Sequence, residues 1–160
     1  MIGLRVQAED FNLAAEVDRL RAGRADIGAI VTFTGLVRDM ADGAPLTAMT
    51  LEHYPGMVER QLAAICAEAE ARWPLQGGTV IHRFGRLTPG DQIVLVATAS
   101  AHRQAAFEAA MFIMDWLKTR APFWKLEERG GDRHWVDART SDDAAARRWR
   151  DPSAPGITRR

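Results

Sequence analysis

Cysteine is nearly missing: Cys66 is the one thiol in 160 residues. A single cysteine closes no internal disulfide, so nothing points to an oxidising compartment. No basic residue lies within five positions of it on either side. A reactive thiol wants a positive neighbourhood, so Cys66 reads as a small buried apolar residue. An excess of charge is missing too, because 21 basic and 21 acidic side chains cancel. No global field draws the chain to nucleic acid or to an acidic membrane, and neither is expected as a partner; any anion site must be a local cluster. No apolar run approaches the roughly 20 residues that span a bilayer. The N-terminus has no basic-then-apolar signal pattern, with Glu9 and Asp10 arriving early. A soluble, cytoplasmic protein is the expectation. His53, His82, His102 and His134 show no tight ligand spacing, so no metal and no other resident cofactor is expected. Gly77-Gly78 lacks the glycine spacing and the lysine of a phosphate loop.

What is present suits one packed domain: 47% apolar and 26% charged residues. Residues 1 to 149 read as that domain and 150 to 160, with two prolines and three arginines, as a loose tail. The pattern predicts a strand over 3 to 8, then a helix over 11 to 21 capped by Asp10. The β-branched run IGAIVTFTGLV (27 to 37) predicts a strong strand, and 38 to 45 a loop containing Asp42-Gly43. Residues 46 to 54 alternate as a second strand. A helix over 57 to 73 follows, ended by Trp73-Pro74. Strands over 79 to 85 and 92 to 99, joined by LTPGD, make a hairpin. A helix capped by Ser100 runs from 101 to about 120, where Pro122 stops it. Strands at 123 to 128 and 133 to 138 turn on Gly130-Gly131, and a short helix occupies 142 to 149. Strands in pairs between helices indicate α+β with largely antiparallel sheet.

The helix over 101 to 120 carries the chemistry. His102-Arg103 opens it, where free backbone amides and an arginine fork hold phosphate well; plain surface residues are the alternative. Met111, Met114 and Lys118 share one face, the methionines reading first as core. Lys118 is either a cation complementing the helix C-terminus or a site residue. On the next strand Phe123 and Lys125 share a face. Lys125 is a snorkelling edge residue or a half-buried base. Flanking the Pro122 turn, both lysines can reach one pocket, and two adjacent ammonium groups depress each other's pKa toward the range of usable acids and nucleophiles. Arg38, ending its strand beside a loop, is an anion clamp or a solvated arginine, and Arg139 is similar and weaker. Gly35 suggests close approach of another backbone. His82, alternating with Val80 and Phe84, reads as a satisfied sheet histidine. Ser100 and His102 are too close in sequence to argue for a triad.

The stretches TFTGLVRD (32 to 39), LEHYPGM (51 to 57), IHRFGRLTPGD (81 to 91), SAHRQAAFEAAMFIMDWLKTRAPFWKLE (100 to 127) and WVDAR (135 to 139) resemble the large, catalytic subunit of molybdopterin synthase, the MoaE family. They keep the family's order over about residues 28 to 149. The resemblance implies an α/β hammerhead core with a small added β subdomain. It implies a homodimer that takes a ubiquitin-like small subunit (MoaD-like) at each end, forming a heterotetramer. That subunit's C-terminal thiocarboxylate would donate sulfur, twice, to cyclic pyranopterin monophosphate, making the dithiolene of molybdopterin. By position, Lys118 and Lys125 become the catalytic lysines. Leu36, Val37, Arg38, His102, Arg103, Leu126, Glu127 and Arg139 join them in binding substrate, with Phe33 and Met114 lining the pocket. The position after Lys125 is often basic in relatives, and here it is Leu126; a side-chain phosphate contact there is lost, whereas a backbone contact survives. Two other readings stay open, a scaffold that docks a ubiquitin-like protein without chemistry and, against the neutral charge, a nucleic-acid binder.

Overall fold

The computed structural model describes residues 1–41, 43–136 and 140–149. Two four-stranded sheets carry the fold. In the first, β1 (Ile2–Gln7), β6 (Leu75–Arg83), β8 (Gln92–Ser100) and β2 (Ala29–Leu36) lie in the order β1-β6-β8-β2. Only the β1–β6 pair is parallel within it. Both faces of the central strands are covered, which explains their near-continuous apolar runs. On one face, Val80, Val94 and Val96 meet Val58, Leu62 and Ile65 of α2 (Met57–Arg72) and Ala109, Phe112, Ile113 and Trp116 of α3 (Arg103–Arg120). On the other, Ile81 and Leu95 pack with Phe11 beside α1 (Leu13–Arg21). Burial of this main core supplies most of the driving force for folding.

The second sheet runs β10-β9-β5-β7, wholly antiparallel: β10 (Asp132–Val136), β9 (Phe123–Arg129), β5 (Ala48–His53) and β7 (Gly85–Leu87). Its own core holds Val37, Leu46, Met49, Leu51 and Leu87. A two-residue hairpin, β3 (Met40–Ala41) with β4 (Ala44–Pro45), sits in the stretch expected to be loop. The closing α4 (Thr140–Arg147) lies on α3, and beyond it the Trp149 indole donates to Asp115 and packs edge-on against Trp73 and Phe112.

The α+β, mainly antiparallel expectation holds, and several details differ. Asn12, not Asp10, caps α1 through the Ala15 amide at 3.0 Å. The helix starts only at Leu13; Phe11 precedes it and is buried, and Asp10 accepts from the Phe11 amide and Gln92. Ser100 is not the cap of α3 but the buried last residue of β8, donating to the Pro74 carbonyl. The expected strand over 79 to 85 breaks at Phe84, and Gly85 (φ 90°) turns the chain out of the first sheet into the second. At Gly35 the close neighbour is a side chain, not a backbone: a Cβ there would stand 2.7 Å from the Val94 Cγ1. The expected tail, 150 to 160, lies outside the described residues.

Candidate active site

Helix α3 is the ruler of the site. It leaves β8 and returns antiparallel to it, so it runs in the same direction as β2. Its start is fastened by the Thr98 hydroxyl, which donates to the Ala106 carbonyl at 2.7 Å in the core. The end of α3 therefore lies toward the end of β2, and Lys118 and Arg38 fall at the same end of the molecule. Lys118 is exposed and makes no hydrogen bond or ion pair among the described residues. Arg38 is likewise exposed and unpaired there, but its backbone is held on both sides. The Val37 amide donates to Asp91 at 2.9 Å, the Gly90 amide to Val37 at 2.8 Å, and the Leu46 amide to Asp39 at 2.7 Å. An arginine with no carboxylate partner among the described residues contributes no ion pair to the fold and has its guanidinium donors available to an anion.

Lys125 has the opposite surroundings. On β9 it lies opposite Leu51 and Val136, and its Nζ pairs with Glu127 at 3.0 Å. Glu127 is only 3% exposed and is also bonded by Arg129. Burial pushes the Glu127 carboxyl up, yet the hydrogen bonds and charges of Arg129 and Lys125 outweigh it and hold the group below its ordinary range. The nearest charge to Lys125 is thus a carboxylate rather than the second ammonium expected from the sequence. The Glu127 side chain is spent on seating Lys125 and Arg129. Leu126 points to the other face of the sheet, opposite Thr50 and Trp135.

Between these lysines, 121–123 form a tight turn, with the Phe123 amide donating to the Ala121 carbonyl at 2.9 Å. Beneath it is a residue the sequence reading passed over as merely satisfied, His82. Its ring stacks on Phe123 with centroids 3.8 Å apart and 14° between planes. Burial, joined by the charges of Lys118 and His53, pushes its imidazole down to about 4. The alternation Val80-His82-Phe84 carries no hint of this, since the stacking partner is far along the chain.

The other expected residues divide. Phe33 (41% exposed) stands on the α3 side of β2, and Met114 is half-buried on the stripe that leads to Lys118. Met111, expected in the core, is 50% exposed, and Phe107 on the same stripe 62%. Leu36 is exposed, whereas Val37 is buried in the second core with its backbone bonds taken. His102 and Arg103 line an open cleft with Gly28, Gln104 and Phe107, at the far end of α3. Fifteen residues of helix part Arg103 from Lys118, about 22 Å at 1.5 Å per residue. Arg103 and Lys118 of one chain therefore cannot meet in one pocket, whereas Lys118 and Arg38 lie toward the same end. Arg139 lies outside the described residues. Among the described residues no three His, Cys, Asp or Glu side chains cluster to hold a metal. No helix among them is long and apolar enough to cross a membrane. Cys66 is buried, which pushes its thiol up to about 12.

Comparison with known proteins identifies the family. The family model described as "MoaE protein" matches residues 6–120. The chain is 57% identical over 152 residues to a molybdopterin synthase catalytic subunit of Mesorhizobium japonicum, covering 94% of each. Its fold superposes on a molybdopterin biosynthesis MoaE protein from Burkholderia ambifaria at a TM-score of 0.81 and 52% identity, over 94% of this chain and 99% of that one. The fold alone is shared with a chain from a protein–protein complex of subunits 1 and 2 of molybdopterin-converting factor from Helicobacter pylori, at a TM-score of 0.66 and 19% identity, over 86% and 91% of the two chains.

Proposed function

The chain belongs to the MoaE family of molybdopterin synthase catalytic subunits, and from that premise we propose that it is a sulfurtransferase acting with a small ubiquitin-like subunit in the cytoplasm. The C-terminal thiocarboxylate of that subunit enters between Lys118 and Lys125. The thiocarboxylate sulfur bonds to a side-chain carbon of cyclic pyranopterin monophosphate as an oxygen departs from that carbon; water then cleaves the acyl carbon–sulfur bond, the tail returning as a carboxylate and the sulfur staying on the pterin. Two such transfers build the dithiolene. The observation that carries this reading is the contrast across the Pro122 turn, where one lysine is free and the other is seated on a buried carboxylate. Lys125, fixed by Glu127, suits a stationary charge that stabilises the tetrahedral adduct. Lys118, unpaired, suits the proton donor to departing oxygen. Arg38 holds an anionic group beside them, with Phe33 and Met114 against the pterin. Arg139 belongs with the anion-holding group by resemblance.

His102 and Arg103 enter this scheme through a second copy. Phe107, Met111, Phe33 and Leu36 make an exposed apolar band along α3 and the free edge of β2, a surface that a soluble monomer rarely leaves open. A two-fold packing of two such bands runs the α3 helices antiparallel. One copy's Arg103 then comes to the other copy's Lys118, and each phosphate site draws on both chains. The test mixes the protein, a thiocarboxylated small subunit and the pterin precursor, and follows dithiolene formation by mass spectrometry. Product only when all three are present supports the reading. Tight small-subunit binding without product would put the non-catalytic scaffold in its place.

A further inference from the structure

This inference rests on the sulfur-transfer reading, with its anion site shared between two copies, and concerns the corner at which β8 becomes α3. Ser100, the buried last residue of β8, ties that corner in two directions. Its hydroxyl donates to the Pro74 carbonyl at 2.9 Å and accepts from the His102 amide at 3.3 Å. Its carbonyl accepts from the Gly28 amide at 3.0 Å, which extends the β2–β8 ladder past the Ala29–Ser100 pair. Gly28 then lies directly against the Ala101 peptide: a Cβ there would stand 2.2 Å from the Ala101 carbonyl oxygen and 3.2 Å from its carbon. The first distance is far inside van der Waals contact, and the obstacle is backbone, which no change of rotamer relieves. The φ of Gly28 is not in the left-handed region, so space rather than conformation excludes a side chain.

Packing does not ask for so close an approach. Gly28 and Ala101 are both exposed, so it fills no core, and a glycine costs backbone entropy on folding. What the approach does fix is the path of the two residues that follow. His102 is the N-cap of α3 without a side-chain cap bond, and the Ala106 amide reaches its carbonyl only at 3.5 Å. The direction in which α3 starts thus depends on the corner. Gly28, His102 and Arg103 line one open cleft. We propose that Gly28 is a positioning residue for the phosphate: by having no side chain it lets the Ala101 peptide close onto the ladder, and that closure sets the direction in which His102 and Arg103 are presented to the other copy's Lys118. A methyl group at position 28 must push the Ala101 peptide outward and carry the arginine fork with it. A charge-assisted bond to phosphate is strict about the geometry of that fork.

The test uses the full chain with its thiocarboxylated small subunit and the pterin precursor. Gly28→Ala is expected to raise KM for the precursor on the order of threefold to tenfold, with kcat and small-subunit affinity close to wild type. A wild-type KM overturns the proposal, and so does a fall in kcat at unchanged KM. Mixing, at substrate well below the raised KM, then assigns the site. Gly28→Ala is expected to gain activity with Lys118→Ala, because the mixed dimer has one intact site, and none with Arg103→Ala, because both sites are damaged. A gain with Arg103→Ala overturns the proposal. In a crystal structure of Gly28→Ala, residues 101–103 are expected to move away from β2; the wild-type path overturns the proposal. If Gly28→Ala does not fold, Ser100→Ala, which cuts the tie to the His102 amide without a clash, replaces it in the same kinetic and mixing tests, with the same expected and overturning results. If the wild-type protein makes no product, the sulfur-transfer reading falls instead; if Lys118→Ala and Arg103→Ala gain nothing from each other, the two-chain site falls. In either case direct titration with the precursor decides the role of Gly28: weaker binding than wild type upholds it, and equal binding overturns it.

Discussion

At its C-terminal end α3 passes through Pro122 into β9, and around that turn Lys118 is free while its neighbours are held. Lys125 is seated on Glu127, His82 is stacked on Phe123, and Arg38 is held by flanking backbone bonds. At its N-terminal end the same helix begins without a side-chain cap, and His102 and Arg103 project over an open cleft with no side-chain partner among the described residues. A cation at a helix start works against the helix dipole, so Arg103 weakens the fold slightly where it stands. On the proposed reading, the difference means that the chain seats Lys125 in advance and leaves the anion-holding residues at the start of α3 for a second copy to bring to the site.

The sharpest way to break this comparison is at the fixed end. Lys118→Ala removes an exposed side chain without a partner, so the fold and small-subunit binding should be unchanged. Turnover is expected to drop on the order of 10²–10⁴-fold, the usual worth of a positioned proton donor. A normal rate would mean that the free lysine does not take part. At the open end, Arg103→Ala should raise KM for the pterin substrate roughly tenfold or more, through loss of a charge-assisted phosphate contact. The two variants then test whether the ends belong to different chains. At substrate well below the raised KM, where both variants are strongly impaired, mixing Lys118→Ala with Arg103→Ala should restore roughly a quarter of wild-type activity, because about half the dimers are mixed and each has one intact site. No recovery, with subunit exchange verified by native mass spectrometry, would put both ends of the site in one chain and contradict the helix length.

Much of this was readable from the residues, and the failures have physical causes. Strands β2, β5, β6 and β8, helices α2 and α3 and the LTPGD turn follow from apolar spacing and turn chemistry. The split into two sheets at Gly85 was hidden because a lone glycine between Phe84 and Arg86 has no local signature of a change of sheet, and only its positive φ marks the exit. Met111 looked like core because methionine usually is, and nothing local says that this stripe of α3 faces outward. The distance from Arg103 to Lys118 was legible and was passed over: fifteen helical positions cannot fold back on themselves. The seat of Lys125 was legible too, since Lys125, Glu127 and Arg129 alternate onto one face of a strand. His82 was not legible, because its meaning comes from Phe123 and Lys118, which tertiary structure brings to it.

Glu127→Gln sharpens the fixed end with a smaller effect. The amide can still bond Lys125 and Arg129 but supplies no charge. Breaking a fully buried pair costs about 3–5 kcal/mol, and the Lys125 side chain is 32% exposed, so a loss nearer 1–3 kcal/mol is expected. The pH dependence has a definite sign. A carboxyl held below its ordinary range contributes stability above the unfolded-state value and loses it as pH falls through the folded one. Wild type should therefore weaken on acidification where Glu127→Gln does not, and denaturant midpoints across the acid range will show whether the two curves converge. Parallel curves would remove Glu127 from the role of anchor.

The smallest effect belongs to Leu126, where the family resemblance leads one to expect a basic residue. Because Leu126 faces away from Lys125, an arginine introduced there lies on the opposite side of β9, beside Thr50 and Trp135. Restoring the charge should then change kcat and KM by no more than about twofold, since an exposed cation beyond contact distance acts only through a screened field. Steady-state kinetics at low and high salt measure this directly. A KM for the pterin substrate several-fold lower in Leu126→Arg, and insensitive to salt, would show the phosphate reaching around the strand to that face. The anion half of the site would then lie on the outer side of the second sheet rather than at the start of the partner's α3.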